Sequence, residues 1–310
     1  MGIQGRHRVP IVKAYHPRLK KRQPARTAVG AVRRLALSLF LAAVAARPVL
    51  AIEPTDSLTI VFLDVGQGDA TLVRSPDGKA ALIDAGPDSR IVSQLVRLGI
   101  ESLDLLVATH AHADHIGGME AVLGGFRYVI SWNNGVPHTT HTYRSLMREV
   151  VRSDVAYLEP VSRTIELGAV RFSVLPPPSG ESQSDLSVGL IVTYGEFRAL
   201  LPGDSEIEEL QHFLSLGVPK VTVLKAAHHG SRDGVTPAWL MATQPHVVII
   251  SCGKNNPYGP HPWALRYYEA KAEEVDRTDR DGKISVRAAA HGGFTVTTSA
   301  SDRARTDHAR

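Results

Sequence analysis

From Leu58 onward, short apolar runs alternate with polar turns, and the spacing predicts brief strands interleaved with helices. Strands are expected at 58–64, 70–74 and 79–84, the last two joined by the turn signal Ser75-Pro-Asp-Gly78. Apolar positions at helical spacing predict a helix over 89–98, stopped by Gly99. A strand over 103–108 leads into a histidine-rich loop, a short helix to Leu123, a strand at 128–131 and a helix over 142–151. Further strands are predicted near Val155 and at 163–167, 170–175, 186–194 and 196–201, the last pair turning at Gly195. A helix over 205–216, a strand at 221–225, a helix over 237–243, a strand at 247–251 and a helix over 263–272 follow. Strands near Val275, at 284–287 and at 294–297 close the pattern, with Arg277-Thr-Asp-Arg-Asp-Gly282 read first as a hairpin turn and second as a substrate-contacting loop. This order implies an α/β or α+β body whose helices cover sheet faces. One folded domain is expected over 52–298, with a polar tail, 299–310, that frays.

The chemistry sits just past the ends of apolar strands. Asp84 ends Ala-Ala-Leu-Ile, His110 ends Leu-Leu-Val-Ala-Thr, Asp204 follows Ala-Leu-Leu-Pro-Gly, and His228-His229 follow Val-Leu-Lys-Ala-Ala. Such placement gathers distant side chains at one edge of a sheet. Residues 109–115 read Thr-His-Ala-His-Ala-Asp-His. His110 and His112 can turn one way while Asp114 and His115 swing to the other side as a helix begins, so one loop can serve two cations. Imidazole and carboxylate are ligands of zinc and related divalent ions, and a pair of such ions activates water and holds both oxygens of a displacement.

The other candidates carry alternatives. Asp204 is either the cap of the next helix or a ligand bridging two cations; Ser205 with Glu208 already has the capping-box spacing, which frees Asp204 to bridge. Neighbouring histidines diverge, so one of His228 and His229 is expected to bind metal and the other to face substrate. Ser231 lies beside them. Asp84 is read as orienting the site. Gly66-Gln-Gly-Asp69 is a tight turn whose glycines either relieve backbone strain or also allow close approach of substrate, with Asp69 placed beside substrate or behind the ligands, and His261 is either a plain exposed loop residue or part of a substrate-contacting loop. Cys252, the one cysteine, is read as packing, and His138, His141, His212 and His246 receive no role.

Charge changes the picture at one end. Residues 1–51 hold eleven Lys or Arg and no Asp or Glu, which leaves 24 basic against 31 acidic residues in the remainder, about −7. The basic pI of 9.2 therefore belongs to the leader and is no sign of a nucleic-acid surface on the folded part. Arg33-Arg34, the twelve apolar or small residues 35–46, and Arg47-Pro-Val-Leu-Ala51 have the order of a signal peptide cleaved after Ala51, or of an uncleaved anchor. The protein is expected to be exported, periplasmic or extracellular.

With these residues laid out, the chain resembles the metallo-β-lactamase superfamily, and within it the metallo-hydrolase domain of ComEC-type competence proteins and its stand-alone relatives. The superfamily's His-x-His-x-Asp-His signature is His110, His112, Asp114 and His115. The narrower likeness rests on Leu63-Asp-Val-Gly-Gln-Gly-Asp69, Leu224-Lys-Ala-Ala-His-His-Gly-Ser231, Gly253-Lys-Asn-Asn-Pro-Tyr-Gly259 and the 277–282 segment, and spans about Leu58 to Arg287. It implies an αββα sandwich with two divalent ions, Zn or Mn, at one edge. His110 and His112 would hold the first, Asp114 and His115 the second, Asp204 would bridge, and His228 or His229 would complete the shell. Asp114 and His115 would also carry catalysis, and a metal-bound hydroxide would attack phosphorus or carbonyl. The third histidine of some members has no counterpart here; the equivalent segment is Ser184-Asp-Leu-Ser187, which makes Ser187 a site residue and disfavours a lactam substrate. The implied activity is hydrolysis of phosphodiesters, DNA among them. Small phosphoesters, lactams or lactones, and a metal-binding module without catalysis are the alternatives. No membrane channel is expected in the chain.

Overall fold

The computed structural model describes residues 56–132, 134–153, 156–158, 161–178, 186–254, 256 and 260–307. The expected leader and its cleavage site lie outside the described residues. In chain order the strands are β1 (Ser57–Phe62), β2 (Thr71–Arg74), β3 (Ala80–Ile83), β4 (Ser102–Val107), β5 (Arg127–Trp132), β6 (Ala156–Leu158), β7 (Thr164–Leu167) and β8 (Val170–Leu175). They continue as β9 (Gly189–Tyr194), β10 (Phe197–Leu201), β11 (Val223–Lys225), β12 (Val247–Ile250), β13 (Glu274–Arg277), β14 (Ile284–Ala289), β15 (Phe294–Thr298) and β16 (Ser301–Asp307). The helices are α1 (Arg90–Arg97), α2 (Ala113–Ile116), α3 (Met119–Gly125), α4 (His141–Arg152), α5 (Ile207–Ser215), α6 (Pro237–Thr243), α7 (Pro262–Glu269) and α8 (Thr278–Asp281).

The strands form two mixed sheets, ordered β16-β15-β14-β1-β2-β3-β4-β5-β6 and β13-β12-β11-β10-β9-β8-β7. Alternation along β1 explains their stacking. Leu58, Ile60 and Phe62 face Phe172, Val192 and Phe197 of the other sheet in one inner core, while Val61 joins the layer under the helices. Ile91 and Leu95 of α1, Met119 and Val122 of α3, and Leu146 of α4 cover the first sheet's outer face. Leu210 and Phe213 of α5, Trp239 of α6 and Tyr268 of α7 cover the second. Helix, sheet, sheet and helix make the αββα sandwich. Each fully buried Phe or Leu contributes roughly 1.5–3 kcal/mol relative to exposure, so the inner core is a rigid platform for what its strands carry.

Three local expectations are corrected. The 277–282 segment is a helical turn, not a hairpin turn: Asp281 Oδ2 accepts the Arg277 N–H at 2.8 Å and Asp279 Oδ2 pairs with Arg277 Nη2 at 2.7 Å, closing the chain on itself. The tail expected to fray supplies β16, which pairs antiparallel with β15 and satisfies the backbone groups of an otherwise open edge. The helix predicted from Ser205 begins at Ile207, and its first turn is closed by Glu209, whose Oε2 accepts the Glu206 N–H at 3.2 Å, rather than by Ser205 and Glu208. Among the described residues no helix is long and apolar enough to cross a membrane.

Candidate metal centre

Strands β3, β4 and β5 run parallel in one sheet, and β10, β11 and β12 in the other. Parallel strands release their carboxyl ends at the same edge. Asp84 follows β3, His110 follows β4, Asp204 follows β10, His229 follows β11 and Ser251 follows β12. Backbone strain aims some of them: Asp84, His228 and His229 stand at φ 59°, 46° and 54°. A non-glycine residue there costs of order 1–3 kcal/mol and persists where its surroundings dictate it. The two left-handed histidines in succession turn His229 inward, to 5% exposure, and leave His228 outward at 39%.

Three buried imidazoles are pinned by the same nitrogen. His115 Nδ1 donates to Asp84 Oδ2 at 2.8 Å, and His229 Nδ1 to the Ser251 carbonyl at 3.0 Å. The Thr109 hydroxyl donates to Asp84 Oδ2 at 2.8 Å, so its oxygen accepts from His110 Nδ1 at 3.1 Å. The hydrogen-bond network therefore assigns a proton to Nδ1 in each ring and leaves Nε2 as the nitrogen that a cation would take. Those Nε2 atoms converge on one carboxylate. Asp204 Oδ2 lies 3.1 Å from His115, 3.3 Å from His229 and 3.9 Å from His110, and Asp114 Oδ2 lies 3.2 Å from His229. His110 Nε2 and Asp204 Oδ1 are buried without a hydrogen-bond partner. Ligand atoms of Asp69, His115, Asp204 and His229 all fall within 4.8 Å of one another. Oriented imidazoles, clustered carboxylates and orphaned buried atoms are the donor set of a divalent cation, so the residues fit the metal that the fold implies.

The electrostatics say the same. Burial opposes charge on His229, but the carboxylates of Asp204 and Asp69 and the bonds to Asp114 and Asp204 override it and push the imidazole up to about 10. His115 is likewise held well above its ordinary value against burial, by Asp204 and Asp84. Burial, with His115 beside it, drives His110 well below. Burial would raise Asp204 and Asp114, yet the neighbouring imidazoles hold both below the usual carboxylate range. Asp84 moves up, because burial outweighs the pull of His115. Protons on His115 and His229 thus stand where a cation would place its charge, and a cation would release them on binding.

The remaining sequence candidates are less gathered. The His112 ring packs edge-on against His110 at 4.6 Å between centroids, at the rim. His228 stands at the exposed edge of the cluster: its Nε2 is 4.0 Å from Asp204, about as near as that of His110, but its ring faces outward and its Nδ1 bonds Glu206 at 3.0 Å. Ser231 and His261 bond to the backbone, accepting from Gly234 N–H and Trp263 N–H, the second as the cap of α7. Ser187 is fully buried behind the site; its Oγ accepts the Asp204 N–H at 2.9 Å and lies 3.4 Å from His110 Nδ1. Cys252 is buried, and burial beside Asp279 pushes its thiol up to about 12, which suits packing.

Sequence reasoning missed Glu209, Lys225 and His138. Glu209 Oε1 accepts the Ser187 N–H at 2.8 Å, and burial pushes its carboxyl up to about 7. Its place on the inward stripe of α5 beside Leu210 and Phe213 was the available signal. Lys225 is 3% exposed and forms an ion pair with Asp69. The lysine closing an otherwise apolar run signalled it. The His138 ring lies 6.3 Å from that of His112, close to the site rather than outside it.

A family model described as Metallo-beta-lactamase superfamily matches residues 63–254. The chain is 31% identical over 255 residues to ComE operon protein 3 of Bacillus subtilis, covering 73% of this chain and 32% of that protein. It is 30% identical over 236 residues to Recombination protein 2 of Haemophilus influenzae, covering 72% and 28%. It thus spans about a third of the length of these relatives. Among solved structures, CmlA, a diiron beta-hydroxylase from Streptomyces venezuelae, superposes with a TM-score of 0.51 at 16% identity, over 76% of this chain and 54% of that one. That likeness concerns the fold.

Proposed function

The chain belongs to the metallo-beta-lactamase superfamily of metallo-hydrolases, and from that premise we propose that it is a metal-dependent phosphodiesterase with nucleic acid among its substrates. One observation carries the reading: three buried imidazoles, each with Nδ1 fixed, turn Nε2 toward Asp204 and Asp114 where the carboxyl ends of strands from both sheets meet. His110, Asp114, His115, Asp204 and His229 would hold the cations, a pair of zinc or manganese ions in this reading, with His112 at the rim. Bound there, such ions supply Lewis acidity toward a phosphoryl oxygen and acidify water.

The chain's own residues set the geometry. Asp84, Thr109 and the Ser251 carbonyl keep the rings in one tautomer, so no reorientation is needed as substrate arrives. Ser187, held by Glu209, fixes the backbone of Asp204. His228, half-exposed and tied to Glu206, and His112 stand where a substrate would meet them.

The relatives' names speak of competence and recombination, which favours a nucleic-acid substrate. The acidic balance of the folded part favours short or single-stranded substrates over a long duplex, which needs a basic stripe. The leader's charged and apolar blocks support export, testable by fractionation and by sequencing the mature amino terminus.

The deciding assay incubates purified protein with Mn²⁺ or Zn²⁺ and bis-p-nitrophenyl phosphate, single-stranded DNA or nitrocefin, with Asp204→Asn as control. Metal-dependent cleavage of the two phosphodiesters, lost in the variant, is expected. Turnover of nitrocefin alone would refute the reading, and saturable metal uptake without any turnover would replace it with a binding module.

A further inference from the structure

Asp69 belongs to the cluster by proximity, and distance alone would make it a ligand. The ring edges say otherwise. Asp69 Oδ2 is 3.8 Å from His115 Nδ1, and Oδ1 is 3.7 Å from His229 Nδ1. Both Nδ1 hydrogens are already given, to Asp84 and to the Ser251 carbonyl. Asp204 and Asp114 face the opposite, Nε2 edges of the same rings. Asp69 therefore stands at the Nδ1 edges of the imidazoles, away from the converging Nε2 atoms.

It is also held there. Its N–H donates to the Asp114 carbonyl at 3.1 Å, and its carbonyl accepts the Gly86 N–H at 2.7 Å. Its carboxylate pairs with the ammonium of Lys225, which donates as well to the Ala226 carbonyl at 3.1 Å. The pair is 3% and 2% exposed, and a lysine buried to that degree is rare unless its charge is matched.

We propose that Asp69 and Lys225 form a fixed ion pair behind the metal centre, in which the ammonium, not a bound cation, neutralises Asp69 and keeps it out of the coordination sphere. Both are positioning residues. The pair cancels its own charge, leaves Asp114 and Asp204 to the cations, and fastens the Gly66–Asp69 turn to the end of β11.

The inference rests on the metal-centre reading, and Mn²⁺ titration of the full chain, followed by calorimetry and by the paramagnetic resonance of free Mn²⁺, separates the two. The proteins compared are the parent, Asp204→Asn, Lys225→Met, and the double variant Asp69→Asn/Lys225→Met. Lys225→Met strands a buried carboxylate and should lower the melting temperature of the metal-free protein, and the double variant should recover most of that loss. The double variant should bind Mn²⁺ no more than about tenfold more weakly than the parent, whereas Asp204→Asn should lose more than about 100-fold. Equal losses in the double variant and Asp204→Asn would make Asp69 a ligand and overturn the proposal. An unchanged melting temperature in Lys225→Met would overturn it too. A parent that takes up no Mn²⁺ instead removes the metal reading itself.

Discussion

Asp84→Asn isolates one link of the centre. Asp84 stands at φ 59°, a left-handed conformation that Asn adopts as readily as Asp, so the exchange removes a charge and an acceptor without adding backbone strain. The carboxylate receives three hydrogens: Oδ1 accepts the Thr109 N–H at 2.8 Å, and Oδ2 accepts the Thr109 hydroxyl and His115 Nδ1, both at 2.8 Å. An amide oxygen can replace only one of these oxygens. If it keeps the backbone N–H, its NH₂ meets two donors that were satisfied before. The local remedy is for His115 to keep its proton on Nε2, 3.1 Å from Asp204 Oδ2, and accept at Nδ1, and that denies a cation the Nε2 lone pair it would take. Loss of an orienting carboxylate behind a metal-binding histidine costs about 10–100-fold in affinity, or roughly 1.4–2.7 kcal/mol.

The measurement is a Zn²⁺ or Mn²⁺ dissociation constant from competition with a chromophoric chelator, beside a circular dichroism spectrum to show that the variant is folded. A folded Asp84→Asn protein with the parent's affinity would refute the chain of reasoning from Asp84 to His115 to the cation. Loss at the expected scale, together with fewer protons released on binding, would support it.

Three other outcomes follow from the same geometry. A Cβ at Gly68, where φ is 130°, would lie 2.1 Å from the Asp114 carbonyl oxygen, so Gly68→Ala should destabilise the fold by on the order of 3 kcal/mol and weaken cation binding; a normal chemical-denaturation midpoint would show that the turn is not packed on the histidine loop. His229→Ala should abolish high-affinity cation uptake while His228→Ala retains it, and calorimetry giving equal losses would contradict the assignment of His229 as the inward residue. In the metal-free fold His229 keeps its proton to about 10 against 6.5 in the free side chain, so the folded state binds more protons than the unfolded chain between those values. Its stabilising contribution is complete below about pH 6.5 and fades as pH rises toward 10, so the melting temperature of chelator-treated protein should fall across that window, and saturation with cation should flatten the profile; a flat metal-free profile would count against a raised His229.

How much of this was legible before the fold was known depends on what each residue advertises. The histidine loop was, because imidazoles at 110, 112 and 115 with Asp114 have no packing motive. The placement of polar groups past strand ends was also legible, because an apolar run that stops at Asp or His shows both the strand and its cargo. Choosing between His228 and His229 was not: the two share one sequence context, and only their successive left-handed backbones decide which ring enters. What Ser231 and His261 bond to was not legible either: a hydroxyl or imidazole beside a turn can satisfy backbone N–H groups, as both do here. Glu209 and Lys225 were only half legible. Their places on the inward stripe of α5 and at the end of an apolar run hint at burial, but a charged residue there normally faces water, and what its burial serves becomes visible only when the opposing partner, Ser187 or Asp69, is brought in from 22 or 156 positions away. The sequence thus exposes the atoms that meet a cation, because they must be of a rare type. The groups that hold those atoms in place are ordinary residues made special by long-range contact, and the metal affinity measured in Asp84→Asn and in the Asp69/Lys225 pair reports on that hidden layer.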